Sequence, residues 1–176
     1  MSFSLDTLDA AAARDAAPAL AAVLKACVDA GASVGFMQPF SLEEAERFWR
    51  GVADDVGQGK AILVVARMRG KIVGTAQARP APQPNQPHRF DVAKMLVRPA
   101  ARGRGIGAAL LARVEAEALK RGRWLGVLDT VTDTAGYRLY ERGGWTRVGE
   151  IPDFALWPQG GLCPTTVFCK RLERTA

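Results

Sequence analysis

The sequence predicts an α/β domain, and three observations carry that prediction. An apolar run at 90–97 leads into a glycine-rich turn, Arg102-Gly103-Arg104-Gly105-Ile106-Gly107, and then into apolar residues at helical spacing, Ile106, Leu110, Val114 and Ala118. Two strand-like runs, 62–67 and 72–78, flank Arg69-Gly70 and read as an antiparallel hairpin. A further strand at 124–130 is followed by a short helical segment and another strand beginning at Trp145. Strands interleaved with amphipathic helices build a sheet that helices cover.

The elements follow in order. Residues 2–8 alternate apolar and polar side chains and suit a short first strand. A helix is expected from about 15 to 29, with Leu20, Val23, Leu24, Cys27 and Val28 on its apolar face and Gly31 ending it. The segment Ala32-Ser33-Val34-Gly35-Phe36-Met37 is mostly apolar and contains a glycine. It reads either as a loop covering a site or as a packed linker. Ser41-Leu42-Glu43-Glu44 is a capping box that opens the next helix, with Ala45, Phe48, Val52 and Val56 as its buried stripe. Trp49 lies beside that stripe, either in the core or at the edge of a cleft.

After the hairpin, residues 80–87 hold four prolines and form a stiff exposed connection. The only histidine, His88, begins the next strand; it is a solvated loop residue or, less simply, a general base. The helix after the glycine turn ends near Lys120-Arg121-Gly122. On the strand that follows, Leu125, Val127 and Asp129 share one face, so Asp129 is a carboxylate at the C-terminal end of an otherwise apolar strand. That end of an open sheet commonly faces ligand. Asp129 can orient an amine, relay its proton, or simply accept from nearby amides. Asp133 or Thr134 caps a helix at 135–142 that carries Tyr137 and Tyr140 one turn apart. Residues 151–161 are expected as a loop, and 165–172 as the last strand.

Composition narrows the classes. The 176 residues suffice for one domain with a real core, 1–176. No apolar run is long enough for a membrane span, and no secretory signal opens the chain. Three cysteines without metal-ligand spacing fit reduced thiols in cytoplasm, and no metal site is expected. The net charge of +6 suits a polyanionic cofactor; the arginines are scattered rather than clustered, which disfavours nucleic acid. A homodimer stays open.

The glycine turn carries the chemistry. The first amides of a helix lack internal partners, and their dipoles sum to a partial positive charge. Gly103, Gly105 and Gly107 keep side chains away from those amides, and Arg102 and Arg104 add charge. The natural guest is a phosphate or pyrophosphate. A Walker loop is absent, and the dinucleotide fingerprint fails because its third glycine would fall at Ala108.

An Arg-x-x-Gly-x-Gly turn between strand and helix resembles the pyrophosphate loop of the Gcn5-related N-acetyltransferases (GNAT). Tyr140-Glu141-Arg142-Gly143-Gly144-Trp145 is similar to that family's Tyr-x-x-x-Gly-Phe segment, with Trp for Phe. The resemblance covers most of the chain. It implies a mixed, splayed central sheet with helices on both faces and acetyl-CoA as acetyl donor. It also implies direct attack of an acceptor amine on the thioester. Residues 102–107 (Arg102, Gly103, Arg104, Gly105, Ile106, Gly107) would meet the pyrophosphate, and backbone of Met95, Leu96 and Val97 the pantetheine arm. Tyr140 would protonate the departing thiolate, with Tyr137 as its rival, and Asp129 would sit beside the acceptor. Residues 32–37, 101–105, 128–130 and 146–150 look like the tabtoxin-resistance branch, which acetylates a small β-lactam amino acid. That implies a small-molecule amine partner, with Phe36, Trp49 and Asp129 as substrate contacts and Glu150 and Trp157 closing the opposite side. A protein or peptide amine, or a non-catalytic CoA-binding module, are the alternatives.

Overall fold

The structure is a computed structural model that describes residues 2–173. Strand β1 (Ser4–Leu8) runs into helices α1 (Ala10–Asp15) and α2 (Ala17–Asp29). One helix was expected here and two form. The Asp9 carboxylate caps α1 by accepting from the Ala12 amide at 2.8 Å. Pro18, which has no amide hydrogen to give, then sits in the first turn of α2 and starts it afresh.

Helix α3 (Leu42–Gly57) begins at the expected capping box. The Ser41 hydroxyl accepts from the Glu44 amide at 3.1 Å, and the Glu44 carboxylate accepts from the Ser41 amide at 2.9 Å. Such a cap is worth roughly 1 kcal/mol. Strands β2 (Ile62–Met68) and β3 (Lys71–Pro80) meet at Arg69 and Gly70, whose φ angles of 49° and 76° are those of a tight two-residue hairpin. Then follow β4 (Arg89–Val97), α4 (Ile106–Lys120), β5 (Leu125–Val131), α5 (Ala135–Arg142), β6 (Thr146–Leu156) and β7 (Leu162–Arg171).

The seven strands form one mixed sheet in the order β1-β2-β3-β4-β5-β7-β6. Every neighbouring pair is antiparallel except β4 and β5. Helices cover both faces, and β2 shows why: Leu63 and Val65 join one apolar core with α1, α2 and α3, while Ile62, Val64 and Ala66 join another with α4. Burial on both sides makes β2 a continuous apolar run rather than an alternating one. Among the described residues no helix is long and apolar enough to cross a membrane.

Two departures from expectation sit at the edge of the sheet and on α3. Residues 151–156, expected as loop, continue β6 as its outer edge. The strand is broken in register between Ile151 and Ala155, with Asp153 at φ 54°, so it carries no regular alternation to read. On α3 the buried stripe is Ala45, Trp49, Val52 and Ala53, with Phe48 and Val56 only half-buried.

The parallel pair positions everything functional. β4 and β5 are in register over Arg89–Asp91 and Leu125–Val127 and nowhere beyond. From Val92 onward the two strands part. Their joined end is packed tightly around Gly126, where a Cβ would lie 2.6 Å from the Trp145 ring and 2.9 Å from the Phe90 ring. Only glycine fits there.

Candidate functional site

The parting of β4 and β5 opens two adjoining cavities. The larger, about 710 Å³, runs from the end of α2 past Met95, Leu96 and Val97 to the start of α4, and across to Thr130 and α5. It is lined by Arg102, Gly103, Gly105, Ile106 and Gly107, five of the six residues of the predicted anion loop. Arg104 is exposed and does not line it.

The loop leaves backbone amides without a partner. Gly103 and Gly105 hold φ angles of 74° and 77°, which a side chain would strain, and a Cβ at either would meet nothing within 4 Å. Gly105 is the N-cap of α4, and no side chain caps that helix. The first backbone bond into the helix is Ala109 donating to the Gly105 carbonyl at 3.1 Å. The amides of Ile106, Gly107 and Ala108 therefore face the cavity with the helix dipole behind them. Arg102 is tied down: its Nε donates to the Val97 carbonyl at 3.1 Å, fastening the loop to the end of β4. The Cys27 thiol lies 3.5 Å from the same carbonyl, so Val97 has less to offer a ligand than Met95 and Leu96.

The smaller cavity, about 330 Å³, lies deeper in the split. Its walls are Ser33, Val34 and Gly35, residues 92–95 of β4, Asp129, Thr130 and Val131 of β5, Tyr140, and Phe154, Ala155, Pro164 and Thr165. Asp129 and Tyr140 thus meet in one cavity. The Asp129 carboxylate accepts from the Thr165 hydroxyl at 2.9 Å and is otherwise open to the cavity. Tyr140 is buried between the rings of Trp145 and Phe168, each 6.1 Å away between centroids. Burial first, and then the negative charge of Asp129, push its phenol well above the usual tyrosine range, so it keeps its proton. Tyr137 lines neither cavity; it packs edge-on to Phe168 at 5.3 Å.

The remaining predicted contacts fall differently. Trp49 is fully buried in the core beneath α3 and lines neither cavity, because its position on the helix turns inward where Phe48 turns toward β4. Phe36 does not line the small cavity either; it stands behind it, packed on Phe40 at 4.6 Å and Phe48 at 5.3 Å. Trp157 lines the larger cavity, not the smaller one. Glu150 lines neither and lies 3.6 Å from Arg147. His88 stacks on Trp124 at 4.5 Å, outside both. Among the described residues no group of three or more His, Cys, Asp or Glu is placed to hold a metal.

Lys94 interrupts the apolar run of β4. It faces the cleft. β4 carries one residue more than β3 between Ala93 and Leu96, because Thr75 pairs with Leu96 while Gln77 pairs with Ala93. Lys94 stands in that bulge at φ 48°, and its Nζ lies 5.6 Å from the Phe36 ring and 5.5 Å from the Phe48 ring. Positive φ at a lysine cannot be read from sequence.

A mixed sheet split at one parallel pair, with an uncapped glycine helix start at its mouth and a carboxylate and a phenol inside, is the frame of an acyl-transfer enzyme. The sequence profile of the Acetyltransferase (GNAT) family matches residues 23–145, and the chain belongs to that family. It is an N-acetyltransferase that uses acetyl-CoA. Solved structures share the fold at low identity. An N-acetyltransferase from Staphylococcus aureus Mu50 superposes with a TM-score of 0.81 at 16% identity, over 98% of this chain and 100% of that one. The yncA protein of Salmonella typhimurium, solved with its cofactor acetyl-CoA, gives 0.80 at 17%, over 100% and 97%. A ribosomal-protein-alanine N-acetyltransferase from Brucella melitensis gives 0.78 at 22%, over 96% and 99%.

Proposed function

We propose that this enzyme acetylates the amine of a small polar molecule, with a tabtoxinine-like β-lactam amino acid as the sharpest candidate. The supporting observation is the small cavity. At about 330 Å³, walled by the 33–35 loop on one side and by Phe154 and Ala155 on the other, it suits a compact molecule better than a polypeptide tail.

The larger cavity fits acetyl-CoA, which supplies an activated acetyl thioester. The open amides of Ile106, Gly107 and Ala108, with Gly103 and Gly105 beside them, would hold its pyrophosphate. The unpaired stretch of β4 at Met95 and Leu96 offers backbone to the pantetheine arm. In the small cavity the Asp129 carboxylate would accept a hydrogen bond from the acceptor amine, orient it and draw off its proton, directly or through water. The Tyr140 hydroxyl, held protonated by its surroundings, would donate to the departing sulfur.

A thiol-release assay tests this reading with a panel of amino acids, β-lactam amino acids, polyamines, aminoglycosides and lysine-bearing peptides. Turnover of compact polar amines above peptides is expected. Efficient peptide acetylation without small-molecule turnover would reject the substrate class and leave the cofactor site standing.

A further inference from the structure

We infer that Lys94 reads a carboxylate or similar acidic group on the acceptor, which makes the acceptor an amino acid rather than a simple amine or a polycation. The inference rests on the small cavity being the acceptor site, and it adds the substrate's second functional group and the residue that selects it.

Geometry comes first. Lys94 lines the small cavity from the β4 arm, and Asp129 lines it from the β5 arm. A cation and a carboxylate thus face one cavity from opposite arms of the split. The Lys94 ammonium sits over the faces of Phe36 and Phe48, and among the described residues no carboxylate lies within ion-pair distance of it. Arg79, the nearby cation, is by contrast paired: it donates to Asp55 at 2.7 Å and to the Gln77 side-chain oxygen at 3.3 Å.

Energetics then ask for a guest. A half-dry ammonium without an anion is unfavourable, and aromatic faces offset only part of that cost. Burial, and then the charge of Arg79, push the Lys94 ammonium below the usual lysine range, while Asp129 pulls the other way. An anion entering the cavity satisfies the ammonium. The bulge at φ 48° is a strained backbone that aims this side chain, and Gly35, at φ 90°, leaves the loop above it bare: even a Cβ there would only reach 3.8 Å from Nζ.

An α-amino acid answers both walls, its amine toward Asp129 and its acid toward Lys94. A polyamine or aminoglycoside would bring further positive charge against Lys94. Selection by Lys94 is therefore both attraction of acids and repulsion of polycations.

The test compares each amino acid of the panel with its carboxamide and its decarboxylated amine, in wild type, Lys94→Met and Lys94→Arg. Methionine keeps the length and the aromatic contacts and is no more strained at φ 48° than lysine. Wild type is expected to prefer the acid over its carboxamide by at least roughly tenfold in kcat/KM, the size of one charge-assisted hydrogen bond. Lys94→Met should remove that preference by raising KM for the acid far more than for the carboxamide, and leave acetyl-CoA affinity unchanged. Lys94→Arg should restore part of it. Equal use of acid and carboxamide by wild type, or an unchanged ratio in Lys94→Met, would overturn the role of Lys94 and leave the transferase reading intact. No thiol release with any small amine, with acetyl-CoA still bound, would overturn the small-molecule reading and the role of Lys94 with it.

Discussion

The two cavities of the split sheet are built on different principles. The larger is made of backbone: glycines at positive φ, an uncapped helix start and an unpaired strand edge. The smaller is made of side chains brought from six places, the 33–35 loop, the β4 bulge, the end of β5, α5, β6 and β7. Backbone amides are present in any sequence, so the first site needs only a short local pattern that exposes them. Side-chain sites need particular residues at particular places, and these are set by tertiary packing. In the proposed reading the first kind of site serves the donor and the second the acceptor.

Mutations can break that contrast, beginning with the strongest. Gly105→Asp puts a negative charge beside the open amides and strains a residue at φ 77°. Acetyl-CoA affinity should fall by about 100-fold or more, measured by titration calorimetry, since two or three charge-assisted hydrogen bonds are lost. Gly105→Ala, which adds strain without charge, should fall much less. Equal affinity of folded Gly105→Asp and wild type would refute the backbone account of the larger cavity.

Tyr140→Phe keeps the ring between Trp145 and Phe168 and removes only the hydroxyl. Turnover should drop by roughly 100-fold, as for loss of a general acid, with acetyl-CoA affinity unchanged. Tyr137→Phe, outside both cavities, should be nearly silent. Reversal of that ranking would move the proton donor to Tyr137.

Asp129→Asn retains an oxygen to accept from Thr165 and loses the charge. A decrease of about tenfold in kcat/KM for the amine is expected from the lost charge-assisted bond, with the cofactor dissociation constant unaltered. Were both constants to change together, Asp129 would be holding the strand rather than the amine.

The smallest effect concerns Trp49. Trp49→Phe should lower stability by about 1 kcal/mol, a few degrees in Tm, and leave KM for the amine where it was. A raised KM in a fully folded variant would bring Trp49 back to the acceptor site.

The same contrast explains what the sequence made legible. The hairpin, the glycine turn and helix α4 were readable because each is specified by neighbours along the chain, as was the capping box at Ser41. Tyr140 was singled out by a motif-like spacing and Asp129 by its place at a strand end, and the structure brings both to one cavity. A helix from about 15 to 29 was expected; α1 before it was not, and Pro18 was given no role in starting α2. Trp49, read as core or cleft edge, is core, and Phe36 stands behind the small cavity; position along the chain cannot separate a wall from the layer behind it. The direction of Lys94 was not legible because it depends on an extra residue in β4, and that is a property of the pairing with β3, not of either strand alone. The start of β6 was expected, but its outer half, residues 151–156, escaped because an edge strand with a register break alternates on neither face.

The packing around Gly126 has a kinetic consequence. Phe90 and Trp145 close over that residue like a rivet, so the angle between the two arms is set when the chain folds and does not wait for a ligand. A mouth held ajar in this way needs no opening step before the donor enters. Its capture should follow a single encounter whose observed rate rises in proportion to concentration, without the plateau that a gated cleft imposes.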